Sequence, residues 1–208
     1  MGKKEQTRAL IVETAQEVFL TKGLFQTVMD DIAKAADITR RTLYRHFETK
    51  EDIAFEVAIA LLTDWNQTQE TFAREARGTG LDQVIGFLMA SIDHMEDKRD
   101  ILAYLGAFDF YFQDSQTAMP TKENLDRFNK VILVSDQLMK AMLDQGIRDG
   151  SIKETTDVAL MVPTMSHVLW SFGQRIAIRA DHIQEESGIP AVDLIRQQVL
   201  LYKQVLEA

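Results

Sequence analysis

Cysteine is absent from the 208 residues, so disulfide staples, thiolate metal sites and a cysteine nucleophile are excluded together, and the fold has to stand on packing alone. Proline occurs only at 120, 163 and 190, which leaves long stretches free of the residue that interrupts helices. No run reaches the roughly 18 uncharged apolar residues of a membrane span. Residues 1–10 are polar where a secretory leader would carry an apolar core. A folded chain of the cytoplasm with no membrane partner is therefore expected. Histidine stands only at 46, 94, 167 and 182, and no two are four apart as a helical metal site requires. Phosphate-binding glycine loops and nucleophile motifs are missing too, and Gly78-Thr79-Gly80 reads as a helix terminator. Neither an enzyme nor a bound cofactor or metal is expected.

What remains is a composition of 46% apolar and 26% charged residues, near the globular average and sufficient for a sizeable core. Alternating β-branched runs are scarce, whereas apolar residues recur at spacings of three and four, which predicts an all-α protein. About nine helices follow from that periodicity: residues 4–21 with Leu10, Ala15, Val18 and Phe19 inward, then 28–36, 40–47, 50–76, 81–95, 98–112, 122–148, 156–179 and 191–206. Gly23 is placed to end the first helix. Gly78 and Gly80 end the fourth, a polar connection holding Pro120 precedes the seventh, and Pro163 is expected to kink or split the eighth.

The formal charge of -9 is unevenly spread. Residues 1–52 carry nine basic and nine acidic side chains, and residues 53–208 carry 14 basic against 23 acidic. Between residues 39 and 50, Arg40, Arg41, Arg45 and Lys50 stand against Glu48 alone, so a local basic patch faces solvent although the whole chain is acidic.

Three helix starts fall close together: Thr27 with Asp30, Thr39 with Thr42, and Thr49 with Asp52. Each places a hydroxyl where the first free N–H groups of a helix need an acceptor. Two short helices with a tight turn result, and Asp37 sits where that turn calls for a left-handed residue. On the second of them Leu43 and Phe47, four apart, face the core, leaving Arg40, Arg41, Thr42, Tyr44, Arg45 and His46 outward or sideways. Arginine reads guanine with a bidentate fork, threonine meets a thymine methyl and tyrosine bonds a phosphate. Lys50 adds charge at a helix start suited to a phosphate oxygen. A helix so equipped suits the major groove of double-stranded DNA.

The stretch from Gly23 to Ile53, GLFQTVMDDIAKAADITRRTLYRHFETKEDI, resembles the DNA-binding domain of the TetR/AcrR family of regulators. The likeness joins the glycine closing the first helix, Thr27, Asp31-Ile32-Ala33, Thr42-Leu43-Tyr44, Phe47 and Thr49-Lys50-Glu51 without a gap. Asp37 stands where that family usually has glycine, and Val28 where it often has Ser or Thr. The resemblance implies base-reading or nearby positions for Arg40, Arg41, Thr42 and Arg45, and backbone-phosphate contacts for Tyr44, His46 and Lys50. Thr27 and Thr39 are counted with them on the DNA side. It also implies an organisation: a three-helix helix-turn-helix domain over residues 1–49, then a larger helical ligand-binding and dimerisation domain over residues 50–208.

Residues downstream carry that second half of the expectation. Trp65, Phe87, Tyr104, Phe108, Phe112, Phe128, Met139, Met165 and Trp170 form an aromatic and thioether-rich interior, suited either to a filled core or to a loosely selective apolar pocket. Asp109 lies among apolar neighbours, and as a buried carboxylate it would need Arg175 or a cationic ligand. The ligand expected is thus apolar or cationic. Residues 158–176 are apolar on nearly every side, and a homodimer is expected to cover what one chain cannot, through Met161, Met165, Leu169, Phe172, Ile195, Val199 and Tyr202. The resulting expectation is a repressor released from a pseudo-palindromic operator by a small molecule. The rival is a helix-turn-helix adaptor without inducer that recruits a protein through its C-terminal helices.

Overall fold

The computed structural model describes residues 2–113 and 120–208. The polar connection before Pro120 lies mostly outside the described residues. Among the described residues ten helices follow one another: α1 (Lys3–Lys22), α2 (Met29–Ala35), α3 (Arg40–His46), α4 (Lys50–Glu75), α5 (Gly80–Asp97), α6 (Arg99–Tyr111), α7 (Lys122–Ile132), α8 (Val134–Asp149), α9 (Val158–Ser187) and α10 (Ala191–Leu206). Leu133 alone parts α7 from α8, where one continuous helix was expected. Counted as that single segment they leave the nine anticipated. No strand occurs among the described residues; an isolated antiparallel bridge pairs Ile152 with Glu207.

Local chemistry sets the element ends. Along α1 the inward residues are Ile11, Ala15 and Phe19, whereas Leu10 is 45% exposed and Val18 half-buried, so the buried stripe runs one residue off the phase expected from Leu10. Gly23 closes the helix with φ +87°, its N–H donating to the Phe19 carbonyl. The start of α2 differs from expectation. Asp31, not Thr27, supplies the acceptor, taking the Val28 N–H at 2.9 Å, while the buried Thr27 hydroxyl donates to the Gly23 carbonyl at 2.7 Å.

The turn between α2 and α3 is closed by two crossed bonds: Ile38 N–H to the Ala33 carbonyl at 3.0 Å and Asp37 N–H to the Lys34 carbonyl at 3.2 Å. This is a Schellman closure, and it forces Asp37 into the left-handed region at φ +50°. Thr39 then caps α3, its hydroxyl accepting the Thr42 N–H at 3.2 Å. Thr49 and Asp52 form a reciprocal box at the head of α4, as anticipated.

Pro163 neither splits nor kinks α9. It sits in the second turn, where only the ladder bond to the Ala159 carbonyl is lost, and Ala159 is exposed to water. The departure from helical backbone falls instead at Arg179, at φ −139°.

By packing, the chain forms two compact bodies. The first gathers Met1–Thr63 and Tyr104–Val131; the second gathers Asp64–Ala103 and Ile132–Ala208. Packing therefore joins the first half of α4 and the segment from Tyr104 onward to α1–α3, rather than dividing the chain at residues 49 and 50. In the first body residues 53–59 of α4 are all buried. Tyr104 donates its hydroxyl to the Ala54 carbonyl at 3.0 Å and stacks on Phe19, and burial pushes that hydroxyl's pKa far up. Tyr111 donates to Glu51 at 2.6 Å.

In the second body α5 is the centre, packed by α8, α9 and α10. Its N-terminus is capped twice over: Thr79 and Asp82 form a box, and the loop after α8 reaches across, Asp149 accepting the Gly80 N–H at 2.8 Å and Ser151 the Leu81 N–H at 3.1 Å. Such closeness needs glycine. A Cβ on Gly80 would lie 2.0 Å from the Gly146 nitrogen.

Gly80→Ala is accordingly expected to force α5 and α8 apart and to cost about 1–3 kcal/mol, read as a lowered denaturant midpoint with an unchanged slope. At the α2–α3 turn, Asp37→Val should cost about 1–2 kcal/mol by thermal or chemical denaturation, since a β-branched residue resists a left-handed backbone. Asp37→Gly should be neutral or stabilising. Equal stability of the Val and Gly variants would show that the turn does not impose that conformation.

Candidate DNA-binding interface

α3 is seven residues long, too short to hold itself in water, so its pose is set by what it buries. Leu43 at 0% and Phe47 at 3% exposure supply that anchor. Because they lie four apart, the opposite face is left to Arg41, Tyr44 and Arg45, all exposed, with Tyr44 at 51%. Arg40 is exposed as well, but it is ion-paired to Asp30 of α2. Thr42 is half-buried, its hydroxyl 3.0 Å from that of Thr39. Arg41 and Arg45 make no ion pair among the described residues, so two full charges and a phenol project from one short rigid element.

Three expected members sit otherwise. Thr27 is 1% exposed and spends its hydroxyl inside the head. His46 turns both ring nitrogens into the interior, where they find no hydrogen-bond partner among the described residues. Burial first, then the charges of Arg45, Lys4 and Arg8, hold its pKa below the ordinary 6.5, so it is a neutral ring rather than a phosphate cation. Lys50 donates to the Leu24 carbonyl at 2.9 Å and lies 5.0 Å from the centre of the Tyr111 ring. Desolvation lowers its pKa, and its ammonium fastens α4 to the end of α1's turn before it can serve a phosphate.

Sequence reasoning missed Arg8. From α1 it donates to the His46 carbonyl at 2.9 Å, with its guanidinium 4.0 Å from the centre of the Phe47 ring, and so holds the C-terminal end of α3. Nothing in the spacing of residues 38 positions apart announces that contact.

The residues expected to line a ligand pocket separate by body. In the first, Phe108, Phe112 and Phe128 surround Phe55, ring centres 4.9, 4.6 and 5.7 Å away. Tyr104 is buried beside them, and Asp109 is exposed, so the cost of a buried carboxylate that called for Arg175 or a cation does not arise. In the second body Trp65 packs edge-on against Trp170 at 5.4 Å and at a tilt against His94 at 4.5 Å. Phe87, Met139 and Met165 belong to the same buried core. A small cavity in that body, lined by Ile92, Met95, Gly173, Ile176 and Ile195, holds about 10 Å³, room for roughly one water, and none of the expected ligand residues line it.

The expected interface residues also turn inward. Met165, Leu169, Ile195, Val199 and Tyr202 are buried in the core of their own chain, with Met161 and Phe172 half-buried against it. The outward stripes are their neighbours, Leu160, Val168 and Ile178 on α9 and Leu201 and Val205 on α10. An all-round apolar helix has two stripes, and periodicity does not tell which one faces in.

Residues 11–57 match the family model of bacterial regulatory proteins, tetR family. The chain is 24% identical over 200 residues to the HTH-type transcriptional repressor KstR2 of Rhodococcus jostii, covering 95% of this chain and 89% of that one. It is 37% identical over 70 residues to the HTH-type transcriptional regulator TtgR of Pseudomonas putida, covering 34% of this chain and 31% of that protein. Its fold matches that of the transcriptional regulator FadR from Bacillus subtilis, solved in complex with stearoyl-CoA, with a TM-score of 0.68 at 18% identity over 96% of this chain and 99% of that one. The ketosteroid transcriptional regulator KstR2 of Mycobacterium tuberculosis matches with a TM-score of 0.62 at 21% identity over 97% and 95%. No described helix is long and apolar enough to cross a membrane. A capped, left-handed turn that presents an arginine-bearing helix thus lies within the stretch that matches the tetR family model, in a chain similar over most of its length to a transcriptional repressor.

Proposed function

We propose that the protein is a homodimeric repressor that binds a pseudo-palindromic operator through α3 and is released by a small apolar ligand. The observation that carries the reading is the exposed face of Arg41, Tyr44 and Arg45 on a helix anchored by Leu43 and Phe47. In this reading Arg41 and Arg45 meet base edges with bidentate forks, Tyr44 and Thr42 meet phosphate or a thymine methyl, and Arg40 joins them when Asp30 releases it. An acidic remainder repels the duplex, which leaves one orientation for the approach.

A second copy is the natural cover for Leu160, Val168 and Ile178 of α9 and Leu201 and Val205 of α10, whose helices pack against each other. Two α3 helices would then meet successive major grooves about 34 Å apart. An apolar ligand portion is supported by the aromatic interior on α4, α6 and α7 and by the stearoyl chain of the stearoyl-CoA bound to the structurally similar FadR. The cationic alternative rested on a buried Asp109 and is dropped. Domain roles follow the same reading, with DNA recognition in residues 1–49 and ligand binding and dimerisation in residues 50–208.

Selection from random duplex DNA by the full-length protein should return an inverted repeat. Against that sequence Arg45→Ala should cost about 1–3 kcal/mol, confined to particular base pairs; a loss equal across all sequences would make Arg45 a phosphate contact only. Val168→Glu combined with Leu201→Glu should sediment as a monomer and lose operator affinity while keeping the helical circular dichroism of the parent. A double variant that remains dimeric would place the interface elsewhere.

A further inference from the structure

Glu56, in the middle of the fully buried stretch of α4, is 8% exposed and is held from two sides. Arg8 of α1 donates to its Oε1 at 2.8 Å. Arg127 of α7 grips it with a fork, one nitrogen on Oε1 at 2.7 Å and the other on Oε2 at 3.1 Å, and the first of these also meets the Asn124 side chain at 3.3 Å. Burial works to raise the Glu56 carboxyl, but the hydrogen bonds and charges of Arg127 and Arg8 overcome it and hold it below its ordinary 4.5. The group is therefore an anion at neutral pH. Arg8 uses its other terminal nitrogen on the His46 carbonyl at 2.9 Å. That carbonyl is one of the last-turn acceptors that a helix cannot satisfy from within.

We propose that Arg127 is a positioning residue for operator recognition, acting through Glu56 and Arg8 on the C-terminal end of α3. The inference rests on the assignment of α3 as the reading helix. A buried carboxylate shared by two guanidiniums responds sharply to the loss of one, because an incompletely compensated charge is costly out of water. When α7 withdraws Arg127, Glu56 draws Arg8 to itself, and the His46 carbonyl loses its donor. The seven-residue α3 then keeps only its Leu43 and Phe47 anchor, and Arg41 and Arg45 lose their fixed aim. α7 thereby becomes a lever on the reading helix.

The test uses the full-length chain and a duplex that the parent protein selects from random DNA. Arg127→Gln is expected to weaken binding about tenfold, within the roughly 5- to 150-fold range of allosteric couplings. If the two arginines act in series, Arg8→Gln combined with Arg127→Gln binds no more weakly than Arg8→Gln alone. Arg127→Lys, which keeps the charge and loses the fork, should fall between parent and Gln variant. It carries the same test should Arg127→Gln fail to fold. Amide exchange at residues 43–47 should quicken in Arg127→Gln while that at residues 11–15 stays as in the parent, a pattern that general destabilisation does not produce. Binding by Arg127→Gln equal to the parent's, or losses that multiply in the double variant, overturns the relay. A parent protein that selects no sequence overturns the operator-binding assignment itself.

Discussion

Complete enclosure of α4 over residues 53–59 constrains everything around it. A helix turns through all directions in that length, so it can be buried only if neighbours stand on every side. The sequence supplies apolar or small residues for each direction but one: Ile53, Ala54, Phe55, Val57, Ala58 and Ile59 need only packing, whereas Glu56 needs charge. Arg8 and Arg127 answer that need from α1 and α7, elements far apart in the chain. Apolar packing would tolerate some sliding of α1 and α7 along α4. The carboxylate does not, because its partners must remain within hydrogen-bond reach. One buried charge thus fixes the register of two helices whose hydrophobic stripes alone leave it loose.

The proposed recognition of DNA depends on the opposite treatment of charge. The head is neutral overall, yet Arg41 and Arg45 are held away from the acidic residues that balance it. Asp31 is spent on the Val28 N–H and Lys22, Asp30 on Arg40, Asp52 on the Thr49 box and Glu51 on Tyr111. These four acids are engaged by local partners, and Asp37 and Glu48, both exposed beside α3, make no ion pair with Arg41 or Arg45. Anions at the first turns of α2 and α4 also suit the helix dipoles there, which stabilises the fold without facing the groove.

What was legible in the sequence was local. The Thr39 cap, the Thr49–Asp52 box, the left-handed Asp37 and the inward pair Leu43 and Phe47 are fixed by residues within about five positions of one another, and they stand as expected. Choices between equivalent local solutions were not legible. Thr27 and Asp31 both offer an acceptor near the start of α2, and the tertiary setting gave Thr27 to the Gly23 carbonyl. The two apolar stripes of α9 and α10 are equivalent in periodicity, and only the neighbouring α5 and α8 decide which one turns inward. Asp109 has apolar neighbours in sequence, but sequence neighbours on a helix point elsewhere, and its own direction is outward. Lys50 and His46 are of the right type for phosphate, yet each is recruited by groups more than 20 residues away or by burial.

These long-range recruitments explain why the packing boundary does not fall where the motif ends. α3 is fastened at its far end by Arg8, whose second partner is Glu56, and the head of α4 is fastened by Lys50 to Leu24 and by Tyr111 to Glu51. Removing residues beyond 49 would leave Arg8 without its carboxylate and Phe19 without the Tyr104 ring. A head of one 20-residue helix and two seven-residue helices buries too little to hold one pose by itself. Its pose is completed by the residues of α4, α6 and α7 that pack into the same body, so the relay proposed for Arg127 acts through contacts the head cannot do without.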